Sequence, residues 1–196
     1  SYMESLRIEN FKNLKNLKID RLRQVNLIVG RNNVGKSTLL EAISIFLANG
    51  NEEHLRKLLS NRGEDVLKND DIDTKTVKAH YLSLFNGRTE TYTKSDNTIT
   101  IEDDKEAVSL QQVYIGETTE IDDNGKRKQV AKILYEEDMP KNMSDFSYIS
   151  SGLWITTKKY ELLIRYDNHQ GPLTIVKVRC PFQYVHSIDF NSDDIA

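Results

Sequence analysis

The sequence predicts a mixed α/β fold, on the basis of two observations. Short apolar strands, a glycine-containing loop and an apolar-striped helix follow one another in the first third of the chain. From residue 98 onward, strand-like runs separated by polar turns replace this pattern. A chain of 196 residues, 38% of them hydrophobic, is long enough for one sizeable core. We therefore expect a single lobe over 1–196, with an α/β core at 1–60 and an antiparallel β-rich region at 98–185.

The chain opens with two short strands. Apolar and polar residues alternate at 6–9 and again at 17–19, and the polar stretch 10–13 between them is typical of a turn. Residues 25–29, Val-Asn-Leu-Ile-Val, are mostly apolar and rich in β-branched side chains, which favours a strand buried on both faces. The sequence thus predicts a hairpin that leads into a central strand.

Residues 30–37, Gly-Arg-Asn-Asn-Val-Gly-Lys-Ser, fit the pattern G-x-x-x-x-G-K-[ST] of the phosphate-binding P-loop. The two glycines let the backbone wrap closely around a phosphate, and the amide N–H groups of the loop and the next helix turn serve as donors. Lys36 has the charge and reach to stabilise the β- and γ-phosphates, and the Ser37 hydroxyl is a ligand for Mg²⁺. Because strand, glycine loop and helix come in the required order, we predict a nucleoside-triphosphate site.

Helical patterns follow the P-loop. Residues 38–47 predict an amphipathic helix, and Asn49-Gly50 predicts its C-terminal stop. The predicted apolar stripe comprises Leu39, Leu40, Ile43, Phe46 and Leu47. Residues 52–59 predict a second short helix, whereas 76–85 suit either a helix or a strand.

The β-rich region is predicted from strand-like runs with turn signals between them. The runs lie at 99–101, 108–114, 129–135, 160–166 and 173–178. The turn signals lie at 103–104, 122–125, 167–168 and 171–172. This spacing favours an antiparallel meander over further βαβ units.

Charge, cysteine content and hydropathy exclude several classes of protein. The net charge of −3 argues against a polyanion-binding surface over the whole chain, and the basic clusters at 12–23 and 126–128 are typical of solvated faces. The single cysteine, Cys180, has no partner for an internal disulfide, which favours a reducing compartment. The sequence has no apolar run long enough to span a bilayer. We expect a cytoplasmic protein without membrane contact.

Hydrolysis of a nucleotide requires more than a P-loop: a carboxylate at the end of an apolar strand orders Mg²⁺, and a further group activates water. Residues 162–167 and 133–137 approach the first pattern, but Arg165 interrupts one and the other is short, so both are interpreted as structural strand ends. Residues 150–152 faintly resemble an ABC signature, but the strand-prone residues 153–157 follow them where a helix is needed.

Two other P-loop classes fit poorly. Residues 93–96 and 122–125 resemble the Thr-Lys-x-Asp and Asp-x-x-Gly motifs of GTPases, but their order is reversed, so both are interpreted as turns. A small P-loop kinase requires an arginine-rich lid, which the sequence lacks.

The opening and the P-loop together resemble one family. Residues 3–14, Met-Glu-Ser-Leu-Arg-Ile-Glu-Asn-Phe-Lys-Asn-Leu, are similar to the first strand and Asn-Phe-Lys/Arg turn of RecF- and SMC-like ATPases of the ABC class. Residues 25–43 are similar to the P-loop of these ATPases. The sequence Asn-Asn-Val-Gly-Lys-Ser is especially similar to the P-loops of bacterial OLD-family and related phage-defence ATPases. This likeness covers about the first fifty residues. Residues 181–196 show a weaker similarity to the segment that precedes the helical arm in such proteins.

The resemblance implies ATP and Mg²⁺ as cofactors. The implied nucleotide contacts are Gly30, Asn32, Asn33, Val34, Gly35, Lys36, Ser37 and Thr38. It also implies that Lys12 contacts a phosphate or the ribose, that Lys36 is the catalytic, phosphate-stabilising group, and that Ser37 and Gln183 contact the metal.

In this family the signature, the Mg²⁺-ordering aspartate and the catalytic glutamate lie beyond the arm. The resemblance therefore implies the N-terminal lobe of a larger ATPase, with little or no hydrolysis by this stretch alone. Such a protein forms a homodimer on binding ATP, acts in DNA repair or phage defence, and meets DNA or a nuclease through its other regions. The alternative is a non-catalytic nucleotide-binding interaction module, complete as it stands.

Overall fold

A computed structural model of the protein describes residues 3–21, 33–60, 74–139, 143–167, 173–179 and 184–188. The α-helices within these ranges are α1 (Asn33–Leu47), α2 (Glu52–Ser60) and α3 (Thr74–Leu82). The strands are β1 (Leu6–Phe11), β2 (Leu14–Ile19), β3 (Thr98–Glu102), β4 (Ala107–Ile121), β5 (Arg127–Leu134), β6 (Tyr148–Thr157), β7 (Glu161–Arg165), β8 (Leu173–Arg179) and β9 (Tyr184–Ile188). A mixed α/β architecture is confirmed, while the strand predicted at 25–29 lies outside the described residues.

These nine strands form one sheet in the order β2-β1-β3-β4-β5-β9-β8-β7-β6. Every described strand pairing is antiparallel, which confirms the antiparallel β-rich region. The simple meander is wrong, because β9 lies between β5 and β8 and because β6 also pairs with β4. Fifteen residues long, β4 pairs with β3 and β5 along successive stretches and with β6 as well, so the sheet curls on itself.

Helix α1 packs against the curled sheet through one face. Leu39, Ala42 and Ile45 are buried in the main core together with Phe46. The predicted apolar stripe is partly wrong, because Leu40 and Leu47 are 57% and 67% exposed. Successive residues of an α-helix are rotated by about 100°, so these two leucines lie about a quarter turn away from the face that contains Leu39 and Phe46.

The C-terminal stop of α1 is confirmed as a Schellman motif. Asn49 and Gly50 have φ values of 53° and 63°, in the left-handed region. The Gly50 N–H donates to the Ile45 carbonyl at 2.9 Å, and the Asn49 N–H donates to the Phe46 carbonyl at 3.0 Å. This ending turns the chain directly into α2, whose existence at 52–59 is also confirmed.

Tertiary packing decides the ambiguous stretch 76–85 in favour of a helix. Tyr81 of α3 is 2% exposed and stacks on Tyr166, with ring centroids 5.7 Å apart. Beyond α3 the chain returns to the first hairpin, where Phe85 forms an antiparallel bridge with Phe11. The packing of α3 therefore determines where the segment after it meets the start of the chain.

Several of the remaining motifs belong to strands, turns and strand ends, as their interpretation as structural features predicts. Residues 153–157 belong to β6, and 122–125 form a turn in which the Asp122 carboxylate accepts the N–H groups of Asn124 and Lys126 at 2.9 and 2.8 Å. The Asp167 carboxylate accepts a hydrogen bond from Tyr148, and Glu136 accepts one from the Tyr92 N–H at 3.0 Å. Across the described ranges, no helix combines the length and apolar character needed to cross a membrane.

Candidate functional site

The start of α1 carries the second half of the glycine loop. The helix begins at Asn33, earlier than the pattern at 38–47 predicts, and places Gly35, Lys36 and Ser37 in its first turns. The first N–H groups of a helix have no intrahelical partner, and the helix dipole adds partial positive charge there. Lys36 and Ser37 are exposed, whereas Thr38 is buried. Among the residues that the structure describes, a Cβ added at Gly35 would meet nothing within 4 Å, so the described part of this helix start is open to a ligand.

Lys12, in the turn between β1 and β2, is held against α1. Its ammonium group forms an ion pair with the carboxylate of Glu41, and the two side chains are only 13% and 26% exposed. Its backbone N–H donates to the Leu84 carbonyl at 2.9 Å, and its own carbonyl accepts a hydrogen bond from the Asn86 side-chain amide. The ammonium also lies 5.4 Å from the centroid of the Phe11 ring. These contacts fix Lys12 beside the helix, one turn beyond Ser37.

A groove of about 880 Å³ lies between the β1–β2 turn, the start of α1 and the segment after α3. It is lined by Lys12, Asn13, Ser37, Thr38, Glu41, Ser83, Phe85, Asn86, Gly87 and Arg88. The volume is within the range of small-molecule and cofactor sites. Three predicted site residues, Lys12, Ser37 and Thr38, thus line one groove. Lys36 is exposed on the same helix turn but is not among these lining residues.

Several predicted contacts are not tested. Gly30, Asn32 and Gln183 lie outside the described residues, and for Asn33 and Val34 only the backbone is described. Ser37 is therefore the described candidate for a metal ligand. Mg²⁺ commonly binds few protein groups and completes its shell with waters and phosphate oxygens, so an exposed hydroxyl beside a groove suits it. In the described part of the chain, no cluster of three or more His, Cys, Asp or Glu side chains is arranged to hold a metal ion.

Sequence reasoning missed several groups that line the groove, among them Glu41, Asn86 and Arg88. The position of Glu41 could have been predicted from the sequence. Residues four apart share a helix face, and Glu41 follows Ser37 by one helical turn. No sequence signal predicted Asn86 and Arg88, since they reach the groove through the pairing of Phe85 with Phe11.

Two stacked tyrosines, Tyr81 and Tyr166, are buried in the main core. Burial raises the pKa of Tyr81 to about 12 and raises the pKa of the fully buried Tyr166 well above its ordinary value. Both phenols therefore stay neutral near pH 7 and serve packing. The formal charge of the groove comes instead from the cations Lys12 and Arg88 and from the carboxylate of Glu41.

Comparison with known proteins identifies a family that covers most of the chain. The profile of a family described as an AAA ATPase domain matches residues 2–176. An ATP/GTP phosphatase of Helicobacter pylori is 58% identical over 41 residues, which make up 21% of this chain and 11% of that protein.

Two DNA replication and repair proteins RecF also match. The protein of Lactobacillus acidophilus is 49% identical over 47 residues, or 24% of this chain and 12% of that protein. The protein of Caldanaerobacter subterraneus is 48% identical over 45 residues, or 23% of this chain and 12% of that protein. The matched stretches thus span only about a tenth of these three relatives. No solved structure matches the chain.

Proposed function

The chain belongs to the AAA ATPase domain family, and from this premise we propose that it binds ATP and Mg²⁺ in the groove between the β1–β2 turn and the start of α1. The observation that carries the proposal is the position of Lys12 beside Ser37 and Thr38 along one groove. The open space at Gly35 supports it further, because a phosphate must approach the helix N–H groups closely to accept their hydrogen bonds.

Each group has a distinct role in this proposal. The N–H groups at the start of α1 and the exposed Lys36 ammonium hold the phosphates, and Lys36 stabilises negative charge that develops on them. The Ser37 hydroxyl holds the metal, which supplies charge neutralisation at the phosphate oxygens when bound. Lys12 borders the groove from the hairpin side, where it contacts a phosphate or the ribose.

We assign hydrolysis to groups outside this groove. Glu41 is the one carboxylate among the lining residues, and its ion pair with Lys12 leaves it unsuited to accept a proton from water. A RecF/SMC/OLD-like ATPase, with this chain as its N-terminal lobe, supplies those groups from other motifs and from a second cassette. In this proposal ATP binding drives dimerisation of the intact protein, which works in DNA repair or phage defence.

A non-catalytic nucleotide-binding module is the second candidate, favoured by the same engagement of Glu41 with Lys12. The two candidates differ in whether the intact protein releases phosphate. Steady-state turnover of the intact protein, absent in Lys36→Ala, supports the ATPase. Binding without turnover supports the module.

Calorimetric titration with Mg²⁺ and ATP tests the binding proposal. We expect saturable binding to the wild-type chain, loss of at least tenfold in affinity in Lys36→Ala, and weaker metal dependence in Ser37→Ala. Lys57→Ala is the matched control, because Lys57 is an exposed lysine on α2 that forms an ion pair with Glu53 at 3.1 Å. Absence of binding by the wild-type chain, or equal binding by Lys36→Ala, would overturn the proposal.

A further inference from the structure

Backbone strain singles out two cations of the groove. The non-glycine residues with a positive φ in the described ranges are Asn10, Lys12, Asn49 and Arg88. Asparagine adopts this conformation readily, whereas lysine and arginine have no side-chain feature that favours it. Lys12, at φ 50°, and Arg88, at φ 51°, both line the groove. Strained residues cluster at ligand-binding sites, which makes Arg88 a candidate for a role that nothing else assigns to it.

The backbone before Arg88 is fixed to the first hairpin. Phe85 is 2% exposed and bridges to Phe11, and its carbonyl accepts the Arg88 N–H at 3.0 Å. Between them, the Asn86 side-chain amide donates to the carbonyl of Lys12. The two strained cations are therefore joined through one asparagine.

The backbone after Arg88 is fixed to the sheet. The side-chain amide of the fully buried Gln112, on β4, donates to the carbonyl of Thr89 at 3.0 Å. The carbonyl of Gln112 in turn accepts a hydrogen bond from the buried Asn97 side chain at 2.9 Å. Arg88 is thus held on both sides by buried contacts, although its own side chain is exposed.

Among the described residues that line the groove, Arg88 carries a charge that no ion pair compensates. Lys12 is paired with Glu41, so these two side chains cancel in formal charge. Arg88 makes no ion pair or side-chain hydrogen bond with any residue that the structure describes. A guanidinium offers a planar set of donors that matches two phosphate oxygens at once.

We propose that Arg88 is a specificity residue of this groove, whose guanidinium binds the phosphate chain of the nucleotide from the wall formed by Asn86–Arg88. The contact makes the site prefer the triphosphate to the diphosphate, and the diphosphate to the nucleoside, because the attraction grows with the number of phosphate charges. The inference rests on the proposed binding of ATP in this groove.

Titrations of the wild-type chain, Arg88→Gln and Arg88→Lys with ATP, ADP and adenosine test the inference. Loss of a charge-assisted, bidentate contact predicts a decrease of about tenfold or more in ATP affinity for Arg88→Gln, a smaller decrease for ADP, and no change for adenosine. Arg88→Lys retains part of the ATP affinity, because the charge remains without the planar donors. Arg127→Gln, at an exposed arginine on the β4–β5 hairpin, is the matched control and leaves all three affinities unchanged.

Arg88→Gly separates ligand binding from a structural role. Glycine relieves the left-handed strain, so the variant should melt at a higher temperature than the wild-type chain while its ATP affinity falls. Wild-type ATP affinity in Arg88→Gly, together with a lower melting temperature, would indicate that the arginine supports the fold instead, and would overturn the inference.

The failure of this inference is distinguishable from failure of the binding proposal. If the wild-type chain binds no ATP, both are wrong. If it binds ATP in a manner that Lys36→Ala abolishes, while Arg88→Gln binds ATP, ADP and adenosine as the wild type does, only the role of Arg88 is wrong. An equal loss for all three ligands in Arg88→Gln likewise contradicts a phosphate contact.

Discussion

Gly35→Ala separates the two roles of the glycine in the first turns of α1. A Cβ at this position would meet no atom of the described residues within 4 Å, so alanine introduces no clash with them. Glycine within a helix is roughly 0.5–1 kcal/mol less favourable than alanine. Because Gly35 is close to the helix start at Asn33, we expect the lower value, about 0.5 kcal/mol of added stability. For a chain of this size that is a rise of about 1–2 °C in melting temperature.

The same methyl group should weaken nucleotide binding. It fills the open space beside the helix N–H groups, which a phosphate must enter to accept their hydrogen bonds. Hydrogen bonds to a charged group contribute about 1.5–3 kcal/mol each, so loss of one such bond lowers ATP affinity by about tenfold or more. Gly35→Ala is therefore expected to gain stability and lose affinity.

Thermal unfolding and calorimetric titration with Mg²⁺ and ATP measure the two effects. Gly125→Ala is the matched control: Gly125 lies in the β4–β5 hairpin at φ 78°, and a Cβ there also meets nothing within 4 Å. Alanine at a left-handed position costs about 1–2 kcal/mol, so this control should lose stability and keep its ATP affinity. Wild-type affinity in Gly35→Ala, or a clear loss of its stability, would refute the reasoning.

Two further substitutions test the packing around the groove. Glu41→Gln removes the carboxylate that pairs with the largely buried ammonium of Lys12. It should lower the free energy of unfolding by about 1–2 kcal/mol, between the values for exposed and buried ion pairs, as measured by urea denaturation. Lys12→Met combined with Glu41→Gln should recover part of this loss. Burial raises the pKa of Tyr81 from 10.0 to about 12, so its neutral form stabilises the fold below pH 10, and about 2–3 kcal/mol is lost as the pH rises from 10 to 12. Urea midpoints at pH 8 and pH 11 should therefore differ less in Tyr81→Phe than in the wild-type chain, and an unchanged difference would contradict this linkage.

Local sequence signals predicted most of the helices and strands. The C-terminal end of α1 was predictable from the sequence because Asn49-Gly50 favours a left-handed helix end, and both residues adopt this conformation. The buried face of α1 was only partly readable, since the sequence shows that Leu40 is apolar but not which side of the helix meets the sheet. The choice of a helix for α3 depended on the stack of Tyr81 on Tyr166, a contact between distant parts of the chain.

The residues of the candidate site also divide into those that the sequence predicts and those that only long-range contacts bring to the site. Ser37 follows from a local motif, whereas Thr38 and Lys12 followed from the family resemblance of the P-loop and of the opening strand and turn. Arg88 belongs to no motif, and it lines the groove only because Phe85 pairs with Phe11 across the fold. A residue brought to a site by long-range pairing of backbone segments leaves no pattern in its own neighbourhood.

The central claim, that ATP binds in the groove between the hairpin turn and α1, is tested most directly by paramagnetic NMR. Mn²⁺ replaces Mg²⁺ as the metal bound with ATP, and broadens the backbone amide signals of residues near it. We predict broadening at Lys12, at Ser37 and Thr38, and at the turn Asn86–Arg88, with no change at 119–128 of the β4–β5 hairpin. Broadening confined to other surfaces, with sharp signals from Lys12 and Ser37 at saturating ATP, would contradict the account.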